Sequence, residues 1–107
     1  MKPKITWAKI DAASSGDNEI VAAVSGRKIR VVGLKLSVAL DVTVNWKSGL
    51  AGGASDIIPA ETFKEGGGMS DYWGPDGAML ETLSGEALNM YLGAAVQVSG
   101  WLNYLLV

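Results

Sequence analysis

The sequence predicts an all-β domain, an antiparallel sandwich or barrel of about eight short strands. Three observations carry that prediction. Apolar residues recur with a period of two along most of the chain, which is the strand signal rather than the helical one. Clusters of Gly, Asn, Asp and Ser, the residues turns favour, recur at intervals of about ten residues. No stretch needs a helix of more than about two turns, and there is no heptad pattern or convincing internal repeat.

Taken in order, the first 17 or so residues read as a short N-terminal arm. On it ITWAKI forms a weakly patterned strand, with Ile5, Trp7 and Lys9 set against Thr6, Ala8 and Ile10. ASSGDN is a polar connection, and in NEIVAAV the adjacent Ile20 and Val21 leave the register open. Between residues 28 and 40 the pattern slips. Ile29 and Val31 alternate with Lys28 and Arg30, and then Val32, Leu34, Leu36, Val38 and Leu40 take over the apolar phase. A one-residue phase shift is what a β-bulge produces, and Gly33 stands beside it. A strand buried on both faces over its middle gives the same pattern.

VTVNWKSG is the cleanest strand, with Val42, Val44 and Trp46 on one face and Thr43, Asn45 and Lys47 on the other. SGRK and LDVT are short connections. The region from Ser48 to Ser84 differs: it is glycine-rich and holds only short apolar pieces, DIIPAETF and AMLETL. Pro59 confines the first to an edge or a strand end. AETFKEG could make a helical turn, but one too short to persist without packing. The region reads as short strands joined by long loops, where a β scaffold places its contacts.

In ALNMYLG, Leu88, Met90 and Leu92 lie opposite Asn89 and Tyr91. The closing strand sets Val96, Val98, Leu102, Tyr104 and Leu106 on one face. Gln97, Ser99, Trp101, Asn103, Leu105 and Val107 occupy the other, which turns apolar toward its end. These last two strands read as one hairpin joined at GAA.

A chain of 107 residues is one domain, spanning 1–107, and buries roughly 65% of its unfolded surface. Nine basic and eleven acidic side chains leave a net charge of −2, so nucleic acid is not an expected partner. The absence of cysteine excludes disulfides, thiolate metal sites and a cysteine nucleophile. The absence of histidine removes the commonest general base and transition-metal ligand together, so the chain is not expected to be an enzyme or to carry a cofactor. MKPKITWAKIDAASS breaks its apolar stretch with Lys9 and Asp11, unlike a signal peptide. Asn89, Gln97 and Asn103 interrupt the closing stretch, whereas a membrane span needs about 20 mostly apolar residues. No membrane partner is expected. A hydrophobic fraction of 49% is high for a small domain and suits subunit contact.

Asp71 and Asp76 bracket YWGP, with Glu81 and Glu86 further on. Paired carboxylates hydrolyse glycosides when held about 5 to 9 Å apart across a cleft, and single acids in turns are ordinarily solvated. DYWGPDG offers oxygen ligands for calcium but lacks the dense alternating acids of a calcium loop. The AGG and EGGG runs lack the strand-to-helix context and Lys-Ser/Thr pair of a phosphate cradle. The aromatics say more. Trp46 belongs to the core. Trp7, Tyr72, Trp73 and Trp101, with Leu105 and Val107, are the candidate interface residues, because aromatics on an outer face or in loops anchor partners. The alternative is that each is covered within the domain.

Two stretches carry a resemblance. EIVAAVSGRKIRVVGLKLSVALDVTVNWKSG and WGPDGAMLETLSGEALNMYLGAAVQVSGWLNYLLV resemble the two halves of a recurring small protein of tailed phages and prophages. In that family VAAVxGKKIRV leads into a strand ending F/W-x-S-G, and a GWFET-like element precedes GEALNLxLSAAVxVSGxLxY. The likeness covers residues 19 to 107 apart from the central loops, and DIIPAETFKEGGGMSDYW departs from the family's alanine-rich stretch. The resemblance implies a jelly-roll-like β-sandwich serving as a head decoration, or cement, protein. Its expected partners are the major capsid protein and further copies of itself, commonly as trimers and sometimes as dimers. Its expected location is the capsid surface of the virion, after synthesis in the bacterial cytoplasm. A tail or fibre adhesion module that binds receptor carbohydrate is the alternative. No catalytic residue or cofactor comes with the family.

Overall fold

The computed structural model describes residues 4–50, 54–74 and 80–107, and its regular structure is entirely β. The described residues form nine strands: β1 (Thr6–Ala12), β2 (Glu19–Val21), β3 (Ile29–Val38), β4 (Val42–Ser48), β5 (Ser55–Phe63), β6 (Gly68–Tyr72), β7 (Leu80–Glu81), β8 (Leu88–Leu92) and β9 (Val98–Leu106). One sheet has the order β1-β9-β3-β6, with the two-residue β7 pairing β3 as well, and the other has the order β2-β8-β4-β5. All pairs are antiparallel. The pairings nest: β4 with β5, β3 with β6, β2 with β8 and β1 with β9. The effect is of one long antiparallel ribbon rolled until its turns stack as two sheets. That is the jelly roll, a two-sheet sandwich rather than a closed barrel, and β7 is the strand beyond the expected eight.

The period-two rows become the two inner faces. From the second sheet Val42, Val44, Trp46, Leu88, Met90 and Leu92 meet Ile10, Val31, Leu34, Leu36, Val98 and Leu102 of the first. The slip along β3 is a bulge. Val31 opposes Tyr104 and Gly33 opposes Asn103, which leaves Val32 as the extra residue. The bulge turns Leu34, Leu36 and Val38 back onto the core after Ile29 and Val31 have occupied the opposite parity. Val32 is itself fully buried.

Three expectations need correction. The closing stretch is two strands but not a hairpin, since β8 pairs β2 and β4 while β9 pairs β1 and β3. The chain crosses from one sheet to the other at the GAA turn. Periodicity cannot separate the two arrangements, because both give each strand one apolar face; only burial from opposite sides of the core distinguishes them. The N-terminal arm is likewise no arm over residues 6–12, where β1 pairs β9 along its whole length and buries Ile10 and Ala12. DIIPAETF and the start of AETFKEG form the continuous nine-residue edge strand β5 rather than a short strand and a helical turn. Pro59 sits on that edge where the β4–β5 register shifts between Val44↔Glu61 and Trp46↔Ile58, a place that tolerates a missing N–H.

The polar ASSGDN connection is fastened over β8. Asn89 is fully buried; its Nδ2 donates to Asp17 Oδ1 at 2.7 Å, and its Oδ1 accepts from the Asn18 backbone N–H at 3.0 Å. Gly16 and Leu92 exchange two backbone hydrogen bonds across the same junction.

Candidate functional site

The outer face of the first sheet gathers the exposed aromatics into register. Because Ala8, Ile10, Leu34, Leu36 and Leu102 point inward, their chain neighbours form cross-strand rows on the other side. One row runs Trp7, Asn103, Gly33, Tyr72 from β1 to β6. The next runs Lys9, Trp101, Lys35, Ser70, and the third Asp11, Ser99, Ser37, Gly68. At ordinary strand and residue spacings these three rows cover about 14 Å in each direction.

Trp7, Tyr72 and Trp101 are 69%, 65% and 45% exposed on this face. The Lys35 ammonium stands 4.6 Å from the centre of the Trp101 ring, within cation–π range. Lys9 reaches Asp11 at 3.8 Å, while Gln97 Nε2 donates to Asp11 Oδ1 at 2.8 Å and to Ser99 Oγ at 3.1 Å. Between β3 and β9 lies a shallow hollow of about 270 Å³ lined by Lys35, Leu36, Ser37, Ser99, Gly100 and Trp101. Gly100 forms part of its lining. A Cβ there would overlap the Lys35 carbonyl oxygen, and φ is +156°, a conformation that suits glycine.

The other candidate residues lie elsewhere. Trp73 is half-buried against the core: one step beyond Tyr72 the alternation turns it inward, its N–H bonds Val32 O at 2.7 Å, and its Nε1 donates to Asp71 Oδ2 at 3.1 Å. Leu105 is on the outer face, as its parity predicts, yet only 2% exposed, so it is covered within the chain rather than offered to a partner. The buried Val32 on neighbouring β3 shows the same closure of that end of the sheet. Val107 is half-buried and exchanges backbone hydrogen bonds with Lys28 at 2.9 and 3.0 Å. Sequence reading missed Lys9, Lys35, Ser37, Ser99 and Asn103. Each has outer parity, but only the register of three strands, β1, β3 and β9, brings them together.

The described carboxylates serve the frame. Glu81 pairs with Arg30 at 2.7 Å and Lys28 at 3.9 Å, and Glu86 accepts from Ser48 Oγ at 2.7 Å. Asp71 accepts from the Tyr72 N–H at 2.8 Å as well as from Trp73. Asp76, and with it most of the calcium reading of DYWGPDG, lies outside the described residues. Among the described residues no three acidic, histidine or cysteine side chains come together to hold a metal, and no helix is long and apolar enough to cross a membrane.

Fold and face together define the class: a jelly-roll domain with a flat, exposed aromatic sheet surface. No family model, curated protein or solved structure matches the chain.

Proposed function

We propose that this chain is a bacteriophage capsid decoration protein. It binds the outer surface of the head and stabilises it by bridging neighbouring major capsid subunits, as a homotrimer. The observation that carries this reading is the outer face of the first sheet, where Trp7, Tyr72 and Trp101 stand exposed in adjoining rows of a rigid scaffold. Large rings already fixed on a sheet bury area at small entropic cost when a partner arrives. The sequence likeness over residues 19 to 107, apart from the central loops, supports the same reading. Edge strands β1 and β5 leave open backbone edges, which association between copies covers.

The test uses phage heads assembled without this chain. Purified wild-type protein should co-sediment with them and raise their resistance to heat, and Trp7→Ala/Tyr72→Ala/Trp101→Ala should do neither. Failure of the wild-type chain to bind such heads would sink the proposal. A strict monomer at micromolar concentration in sedimentation equilibrium would remove the trimer from it.

One observation favours the second reading, a tail or fibre module that binds carbohydrate: the Tyr72 ring lies against the backbone at Gly33, leaving a flat aromatic surface on which a sugar ring can stack. Saturable glycan binding lost in Tyr72→Ala, with no association with heads, would select it.

A further inference from the structure

The cations of this chain are unequally partnered. Lys28 and Arg30 share Glu81, Lys47 pairs with Asp56 and Lys64 with Asp41. Lys9 has Asp11 at 3.8 Å. Lys35, in the middle of the exposed face, has no carboxylate within ion-pair distance among the described residues; its ammonium meets only the Trp101 ring. In the Lys9, Trp101, Lys35 row an indole is flanked by two ammonium groups on a chain whose net charge is −2.

Lys35 also walls the hollow between β3 and β9, with Ser37 and Ser99 paired in register beside it. Ser99 Oγ accepts from Gln97 Nε2, which leaves its own O–H able to donate. The Ser37 hydroxyl has no partner among the described residues. One ammonium and two hydroxyl donors therefore line a hollow with an indole on one side, and an anionic acceptor on a short apolar stem matches that lining. At about 270 Å³ the hollow is below the usual range for small-molecule sites, about 300 to 1,000 Å³, and suits a side chain rather than a whole ligand. The three rows span roughly 200 Å² between centres, against the roughly 800 Å² per partner of a stable protein interface, so this face is one part of the contact a partner makes.

We infer that the hollow takes a carboxylate side chain from an acidic segment of the capsid partner, with Lys35 as its counter-charge and Trp101 packing on its stem. The inference rests on the decoration reading and names the chemistry of the contact.

Two measurements test it. In the first, Lys35→Gln and Lys35→Arg are compared for binding to heads that lack the chain, over a range of NaCl concentrations. The expected result is several-fold weaker binding and a flatter salt dependence for Lys35→Gln, near-normal binding for Lys35→Arg, and unchanged thermal unfolding for both. Equal binding and equal salt slope in Lys35→Gln, alongside loss of binding in the triple aromatic variant, overturns the inference while leaving the decoration reading standing. In the second, the ¹⁵N-labelled chain is titrated with hexaglutamate, hexaglutamine and an oligogalacturonate. Shifts at Lys35, Ser37 and Ser99 with hexaglutamate and not with hexaglutamine support the inference. No shifts, equal shifts with both peptides, or shifts with the oligogalacturonate alone overturn it, the last in favour of an acidic sugar.

Discussion

Tyr72 lies with its ring against the bare backbone of Gly33, so closely that a Cβ on Gly33 would stand 3.0 Å from Tyr72 Cδ1. Gly33 is not among the glycines of positive φ, so its backbone tolerates a side chain. The atom in the way belongs to a ring that can swing. Gly33→Ala should therefore shift stability by no more than about 1 kcal/mol in urea unfolding. It should nonetheless displace Tyr72, seen as loss of ring-current shifts at Gly33's neighbours, and weaken association with heads.

Trp101 and Leu105 lie on the same face of β9 and should respond in opposite ways. Leu105→Ala removes a buried side chain and should cost about 2 to 5 kcal/mol of stability. Trp101→Ala should leave stability within about 1 kcal/mol and abolish partner binding. Chemical denaturation and head co-sedimentation of the two variants side by side check this.

Gly100 admits no relief. A Cβ there meets the Lys35 carbonyl oxygen and stands 2.8 Å from Leu36 Cα, both backbone atoms of the adjoining strand. Gly100→Ala should cost about 3 kcal/mol or more, or prevent folding, because β3 and β9 must separate to accept it. A thermal midpoint near that of wild type would show the strands to be more pliable than this.

Asn89→Ala should unfasten the ASSGDN connection. It deletes the donor to Asp17 and the acceptor of the Asn18 N–H beside a fully buried position, at a cost of about 1 to 3 kcal/mol. Hydrogen exchange at Asn18 should accelerate far more than exchange at β9 amides.

Asp41 couples two turns. The Glu65 N–H donates to its Oδ1 at 2.7 Å and Lys64 lies at 3.5 Å from Oδ2, and the Glu65 hydrogen bond followed by the Lys64 charge holds its carboxyl below the ordinary aspartate value. A depressed folded pKa means that the contribution is complete above the ordinary value and is lost as pH falls through the lowered one. The protection factor of the Glu65 amide, its exchange corrected for the intrinsic pH dependence, should fall over that acidic window in wild type. In Asp41→Asn this acid-dependent loss of protection should be absent.

What the sequence disclosed depended on range. The inward rows of β4, β8 and β9 follow from strict alternation at Val42, Val44 and Trp46, at Leu88, Met90 and Leu92, and at Val98, Leu102 and Tyr104. The bulge at Val32 was legible as a slip of phase. Sheet membership was not, since a strand carries the same alternation on either side of the core, and the closing pair was misassigned for that reason. Exposure of Trp7, Tyr72 and Trp101 could be read from parity and turn context. Burial of Leu105 could not, because it arises where an outer face is closed over, a tertiary event without local signature. The hollow at Lys35 was invisible for a related reason: Ser37 and Ser99 are separated by more than half the chain and meet only through register.

The position of β9 between β1 and β3 also governs the order in which the molecule can assemble. Thr6 finds Tyr104 and Ala12 finds Val98, so β1 has no partner until residues 98–104 have been made. The fold is therefore dominated by pairings between strands distant in sequence, which slows folding. In that interval Trp7 and the rest of β1 form an unpaired apolar edge, which makes the nascent chain, more than the finished jelly roll, the species most exposed to aggregation.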